Sequence, residues 1–104
     1  MLDLLILRTL LAGSAHGHAI AKHIQRSSED ILQIETGSLY PALHRLEAKA
    51  WIAPSWEVSN KGRRARFYRL TPVGRKQLAT ARSKWEAFSR AVALILNPVD
   101  QEAQ

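Results

Sequence analysis

The chain has 104 residues, which is the size of one compact domain. It carries 15 Lys and Arg against 9 Asp and Glu, so its formal net charge is +6. A charge balance this basic favours a polyanionic partner, although it does not distinguish nucleic acid from a membrane surface or an acidic protein. The chain contains no Cys, which excludes disulfides, thiolate metal ligands and a cysteine nucleophile.

Residues 2–11 are apolar on nearly every face and contain two charged residues, Asp3 and Arg8. This pattern predicts a first helix that is buried on all sides. The segment is too short to span a bilayer, and it lacks the cationic start of an export signal. We therefore expect a cytoplasmic protein that has no membrane partner.

A second helix is predicted at residues 18–27, where Ile20 and Ile24 lie at i, i+4 and form the inner edge. Residues 31–34 are a short apolar run, for which we expect a minor strand.

A third helix is predicted at residues 36–49, because Leu39, Leu43 and Leu46 recur at i, i+4, i+7. Pro41 is compatible with this helix only near its start, where few intrahelical N–H bonds are lost. The helix is therefore expected to begin at residues 36–38.

Two runs rich in β-formers, residues 51–58 and 66–70, flank a turn-type stretch at residues 59–64. This arrangement predicts a β-hairpin. Pro54 has no N–H to donate to a neighbouring strand, so the first strand is expected at a sheet edge or with a bulge.

The last helix is predicted to begin with Thr71 as N-cap and Pro72 at the first helical position, and to run to about Leu96. The predicted fold is mainly α with a small β-hairpin, a winged helix-turn-helix followed by a long C-terminal helix. Residues 1–70 would bind DNA, residues 71–97 would form a dimerisation helix, and residues 98–104 would be a flexible tail. In such a layout the second helix of the motif, here residues 36–49, enters the major groove.

The strongest chemical signal is residues 61–76, a stretch that holds seven cations and no acid. On a hairpin tip such charges can reach phosphates or the minor groove of DNA. The residues that we assign to this role are Lys61, Arg63, Arg64 and Arg66. The alternative is a solvated basic hairpin without a partner, which is disfavoured because clustered charge of one sign repels itself.

The outer face of the third helix supplies the second set of predicted DNA contacts, namely Ser38, Tyr40, His44, Arg45 and Lys49. Among these, Arg45 is best suited to read guanine. Two of the residues have an equally ordinary explanation. Tyr40 would then be a packing residue with its hydroxyl at the surface, and His44 would be a plain surface histidine.

The last helix repeats apolar residues at spacings of 3, 4, 3, 4 and 3, at Leu78, Ala81, Trp85, Phe88, Val92 and Ile95. These residues, called here the α4 seam, follow the a/d pattern of helix pairing over fewer than three heptads. A seam of this length predicts a homodimer that also packs against the first helix. The alternative is that it packs only within its own chain.

Four segments together resemble the PadR family of bacterial transcriptional regulators. GSLYPALHRLE at residues 37–47 resembles the family's recognition helix, and RRARFYRLT at residues 63–71 resembles its wing strand and the entry into its last helix. Residues 2–11 and 16–21 match its opening helix and the start of its second helix. The chain departs from the family pattern at His18, where an aromatic residue is common, and at Ala50, which replaces a usual Gly.

The resemblance implies a winged-helix dimer that binds double-stranded operator DNA and represses transcription. Some members bind phenolic acids or flat aromatic drugs and then release DNA, and in some compact members a Trp of the last helix stacks on the ligand. Trp85 stands where that Trp would be. The resemblance thus implies a small aromatic effector at Trp85, beside the favoured reading in which this Trp packs the dimer interface.

An enzyme and a protein-binding module are the two other functional classes that a chain of this kind could belong to. An enzyme is disfavoured because no nucleophile elbow, phosphate loop or paired-carboxylate pattern is present, so no catalytic residue is assigned. A metal or other cofactor is not expected either, since His16 and His18 do not share a helix face. The remaining alternative is a winged helix that binds an acidic protein and has no sequence-specific DNA site.

Overall fold

The structure is a computed structural model that describes residues 1–98, and over this range the chain forms four helices and three strands. In chain order these are α1 (Leu2–Leu11), β1 (Ala15–His16), α2 (Gly17–Ser27), α3 (Thr36–Ala48), β2 (Ile52–Val58), β3 (Arg64–Leu70) and α4 (Pro72–Leu96). The predicted fold, a winged helix-turn-helix followed by a long C-terminal helix, is confirmed. The predicted tail lies, from residue 99 onward, outside the described residues.

The strand outside the hairpin is not where the sequence predicted it. Residues 31–34 belong to the connection between α2 and α3, where Ile31 is 81% exposed and Ile34 packs against the core. The strand is instead Ala15–His16, which pairs antiparallel with β3. Two residues are too few to show an alternating pattern, so this strand is visible only from its pairing with Tyr68 and Phe67.

The sheet has the strand order β1-β3-β2, and β2 with β3 forms the predicted hairpin, called here the wing. β3, the second strand of the wing, begins at Arg64, two residues earlier than expected. Gly62, at a φ of 76°, closes a three-residue turn in which the Ser59 amide donates to the Arg63 carbonyl at 2.7 Å. Pro54 lies in β2, an edge strand, as its missing N–H requires.

The hydrophobic core lies between α1, α2, α3 and the base of the sheet. Its buried members are Ile6, Leu7, Leu10, Ile20, Ile24, Leu39, Ala42, Leu43, Leu46, Ile52, Tyr68 and Leu78. The predicted inner stripes of α2 and α3 are therefore confirmed. The expectation that α1 is buried on all sides was wrong at Arg8 and Leu11, which are exposed, whereas the other residues of this helix are buried or half-buried.

The exit from α3 contains a strained residue. The Trp51 amide donates to the Leu46 carbonyl at 3.0 Å and the Ala50 amide to the Glu47 carbonyl at 2.9 Å, which is the hydrogen-bond pattern of a Schellman cap. Such a cap needs a left-handed residue, and Ala50 takes that position with a φ of 60°. Ala50 therefore carries a strain that glycine would avoid.

The start of α4 is fixed to the base of the wing. Thr71 caps the helix by accepting the Gly74 amide at 3.0 Å, and its hydroxyl also donates to the carbonyls of Ala50 and Trp51. Gly74 packs so closely on the Trp51 carbonyl that a Cβ there would overlap it. The predicted N-cap and helix end are confirmed, and no helix within residues 1–98 is long and apolar enough to cross a membrane.

Candidate nucleic-acid interface

The outer face of α3 has two flanks that point to different neighbours. Tyr40 and Glu47 lie on the flank that faces α2 and the wing, where Glu47 contacts Arg66. Arg45 follows Tyr40 by five residues and is therefore turned by about 140° around the helix axis. It lies on the opposite flank, with its guanidinium 2.9 Å from the Asp3 carboxylate of α1.

Four of the five residues predicted to meet DNA are therefore divided between these flanks. Tyr40 and His44 lie toward the wing, and Ser38 and Arg45 lie toward α1, as helical spacing requires. Lys49 follows the last residue of α3, and its ammonium lies 4.5 Å from the ring centroid of Trp51. All five are exposed. The ion pair of Arg45 with Asp3 is itself exposed and worth at most about 1 kcal/mol, so it leaves Arg45 free to exchange Asp3 for another partner.

Tyr40 packs within the domain and is also exposed, so its contact with DNA stays a prediction. Its ring packs on the backbone of Gly17, where an added Cβ would lie 2.9 Å from the Tyr40 hydroxyl oxygen. The side chain nevertheless stays 40% exposed and lines the space between α2 and the wing. Gly17 therefore permits the close approach that holds this aromatic ring at the surface.

A wide groove of about 660 Å³ separates α2 from the wing and is called here the α2–wing groove. Its charged lining residues are Lys22, Arg26, Lys61, Arg63, Arg64 and Arg66. Three histidines, His16, His18 and His23, also line it, and within residues 1–98 no acidic side chain does. A groove with one sign of charge concentrates anions, because the positive potentials of its walls add.

The α2 side of the groove was missed as a site by sequence reasoning. His18, Lys22 and Arg26 follow one another at i, i+4, i+8, so they form a single stripe along α2. That spacing was a usable signal, since the stripe is polar and basic over its full length. Helical spacing places Lys22 and Arg26 opposite the inner edge formed by Ile20 and Ile24, but it does not connect them to the wing.

Two groups fix the floor of the groove. The ring nitrogen Nδ1 of His16 accepts the Ala19 amide at 3.1 Å and so caps the start of α2. Tyr68 is 3% exposed, and burial raises the pKa of its hydroxyl above its ordinary value. The Tyr68 phenol is therefore neutral at physiological pH and adds no negative charge to the groove.

The wing carries the predicted cations to its tip. Lys61, Arg63 and Arg64 are exposed, and the guanidinium of Arg64 lies 5.3 Å from the ring centroid of Trp56. Trp56 is 59% exposed, so the tip presents an aromatic surface beside its charges. Arg66 differs from the other three because it is half-buried and its Nη2 lies 2.7 Å from the Glu47 Oε2.

The six residues of the α4 seam are not equivalent in the single chain. Leu78 is 5% exposed and belongs to the core, and Ala81 is half-buried. Beyond Ala81 the helix extends away from the domain, and Phe88 and Ile95 are 61% and 78% exposed. The rings of Trp85 and Phe88 lie 6.0 Å apart, so this exposed part of the seam begins with an aromatic pair.

A helix-turn-helix, a basic wing and a long C-terminal helix define the class of winged-helix transcriptional regulators. The model of the transcriptional regulator PadR-like family matches residues 6–80 of the chain. The chain therefore belongs to the PadR-like family, and the resemblance of its recognition helix and wing is confirmed. Within residues 1–98 no group of three potential ligands is placed to hold a metal ion.

Relatives with known descriptions agree with this assignment. Transcriptional regulator Rv3488 of Mycobacterium tuberculosis is 35% identical over 87 residues, which cover 84% of this chain and 78% of that protein. A transcriptional regulator of Clostridium thermocellum has a similar structure, with a TM-score of 0.79, 30% identity, and coverage of 86% of this chain and 87% of the other. A PadR family regulator of Eggerthella lenta aligns with a TM-score of 0.78 and 27% identity over 93% of this chain and 82% of its own.

Proposed function

We propose that this protein is a repressor that binds a pseudo-palindromic operator as a homodimer. The observation that carries the proposal is the α2–wing groove, in which six cations from two elements face one another beside the exposed side of α3. A double-stranded DNA backbone supplies the phosphate charge that such a groove attracts. In this proposal residues 1–70 bind DNA and residues 71–97 pair the two subunits.

The docking follows from the placement of the elements. The exposed face of α3 enters the major groove, where Arg45 and His44 reach base edges. The phosphate strand beside it runs through the α2–wing groove, in contact with the Tyr40 hydroxyl and the cations of both walls. Lys61, Arg63 and Arg64 at the wing tip then reach the adjacent minor groove.

The dimer is proposed to form on the exposed part of the α4 seam. Trp85, Phe88 and Ile95 are large apolar side chains that are 40%, 61% and 78% exposed within residues 1–98, and Val92 lies half-buried among them. A second copy presents the same seam, so the two faces are self-complementary about a twofold axis. Such pairing places two α3 helices on one duplex, about one helical turn apart.

Trp85 has two proposed roles that one variant separates. As part of the seam it packs against the partner subunit, and the nearby Phe88 ring supports this role. A flat aromatic effector that stacks on Trp85 is the second role, and it would release the operator. If Trp85→Ala weakens the dimer in sedimentation, the packing role holds. If the dimer persists and binding of an aromatic ligand is lost, Trp85 is the effector site.

The test of the proposed function is a selection from random duplex DNA by the purified protein near physiological salt. We expect a palindromic motif whose half-sites are about one turn apart. Salt-sensitive binding without any enriched motif would overturn the proposal and favour a winged helix that binds an acidic protein, because phosphate affinity alone is generic.

A further inference from the structure

One ion pair connects the recognition helix to the wing. The Nη2 of Arg66 on β3 donates to the Oε2 of Glu47 on α3 at 2.7 Å. Of the three ion pairs within residues 1–98, one joins α3 to α1 and another lies within α4. The Glu47–Arg66 pair is therefore the ion pair of the described chain that ties together the two elements proposed to contact DNA.

The pair is more shielded from water than the other two. The side chains of Arg66 and Glu47 are 40% and 29% exposed, against 65% and 66% in the pair within α4. The Oε1 of Glu47 and the Nε of Arg66 are fully buried and have no partner in the described chain. Opening the contact would take from Glu47 Oε2 and Arg66 Nη2 the charged partner that each has now, and this loss costs more at a partly buried pair than at an exposed one.

The position of Arg66 along the wing gives the pair mechanical importance. β1 pairs with β3 only at Tyr68 and Phe67, so the hairpin is two-stranded from Arg66 to its tip. A two-stranded ribbon is marginally stable and twists easily by itself. Arg66 lies two residues from Arg64, which is about 7 Å along a strand, so its anchor to α3 lies close to the tip cations.

An acid in this place is otherwise unfavourable for a DNA-binding protein. Glu47 lies on the flank of α3 that faces the wing, next to the α2–wing groove. Its negative charge lowers the positive potential that attracts phosphates. The feature of Glu47 that can outweigh this electrostatic cost is its contact with Arg66, which holds the wing next to α3.

We propose that Glu47 and Arg66 are positioning residues that set the angle of the wing relative to α3, so that both elements meet one DNA duplex at once. This inference rests on the proposed function. Arg66 acts here through the wing, and its predicted direct contact with phosphate is not required. The pair fixes where the phosphates lie relative to the base edges that α3 reads.

The proposal predicts an affinity change opposite in sign to that from charge alone. Glu47→Gln removes a negative charge beside the groove, and by charge alone it would strengthen DNA binding. With a positioning role it weakens operator binding by about tenfold, since the tip cations lose their alignment. Glu47→Asp keeps the charge but shortens the side chain, so it should weaken binding as well.

A matched control and a double-mutant cycle complete the experiment. Glu57→Gln removes an exposed acid from the same wing, and we expect equal or slightly tighter binding. Glu47→Gln is also combined with Arg63→Ala and Arg64→Ala, and affinity is measured by fluorescence anisotropy on the selected operator and on random duplex. A positioning pair has little further effect once the tip cations are gone, whereas a merely structural pair gives additive losses.

The outcomes separate the inference from the proposed function. If wild-type protein selects no motif, the proposed function fails, and the cycle on random duplex still tests whether Glu47 aligns the tip cations. If Glu47→Gln binds as tightly as Glu57→Gln, or if its loss is additive with that of the tip variants, the positioning role is overturned. Thermal melting of each variant checks that the fold is retained.

Discussion

The α2–wing groove and the exposed part of the α4 seam are both open to solvent in the single chain, but their chemistry is opposite. The groove is lined by six Lys and Arg side chains, whereas the seam beyond Ala81 presents Trp85, Phe88 and Ile95. A polyanion neutralises the positive charge of the groove, whereas a second apolar face buries the exposed apolar surface of the seam. Salt should therefore control the function of the groove, and protein concentration that of the seam.

The largest effect is expected at the seam. Trp85→Ala combined with Phe88→Ala removes the exposed aromatic pair, and we expect the dissociation constant of the dimer to rise by about a hundredfold or more. Sedimentation across a concentration series measures this change directly. Operator affinity should fall with it, because a monomer reads a single half-site.

The matched control for the seam is Arg82→Ala combined with Arg90→Ala, on the same helix but at positions that are not part of the a/d pattern. Arg82 forms an exposed i, i+4 ion pair with Glu86, so its loss has little effect on stability. The dimer should persist in this variant. Equal dissociation in both double variants would contradict the proposed interface.

The next largest effect is expected at the wing tip. Arg63→Ala combined with Arg64→Ala should weaken binding to every duplex by about 10- to 100-fold near physiological salt. Because the bound dimer loses four cations, the slope of log affinity against log salt should fall by about 3.6. Fluorescence titration at several salt concentrations gives both values. The variant lacking Arg82 and Arg90 loses the same charge elsewhere, and an identical slope change in that variant would show that net charge alone is responsible.

A smaller effect on affinity, with a larger one on sequence preference, is expected for Arg45→Ala. The residue is exposed on the α1 flank of α3, and one bidentate contact to guanine is worth about 1–3 kcal/mol of discrimination. A repeated selection should return a motif that is relaxed at one position in each half-site. Asp3→Asn removes the same ion pair but keeps the guanidinium, so it should return the wild-type motif.

The smallest effect is expected at a residue that belongs to neither surface. Ala50→Gly places glycine at the left-handed position after α3, which should stabilise the fold by about 1 kcal/mol and raise Tm by about 5 °C. Calorimetry measures the shift, and operator affinity should not change. A lower Tm would show that Ala50 makes packing contacts worth more than its backbone strain.

The sequence predicted those parts of the fold that depend on periodicity and local chemistry. The stripe at Leu39, Leu43 and Leu46 defined α3, and Thr71 with Pro72 defined the start of α4. The strand Ala15–His16 was not predicted, because its stability comes from pairing with residues more than fifty positions away. The strand predicted at residues 31–34 was wrong, because three apolar residues out of four in a loop can resemble a strand.

The candidate site was predicted in composition but not in arrangement. The wing cations were evident from their clustering, yet their proximity to Lys22 and Arg26 depends on how α2 packs beside the hairpin. The contacts of Arg45 with Asp3 and of Arg66 with Glu47 join residues 42 and 19 positions apart, and charge pairs at such separations have no local signature. The left-handed conformation of Ala50 has no signal in the sequence other than the glycine that the family uses at this position.

The most direct test of the central claim alters the spacing of the operator. In the selected palindrome, five base pairs are inserted between the half-sites, which turns one half-site to the opposite side of the duplex. A dimer joined through α4 should then lose one of its two contacts, and its affinity should fall to that of an isolated half-site. Unchanged affinity after the insertion would contradict a dimer that reads both half-sites at once.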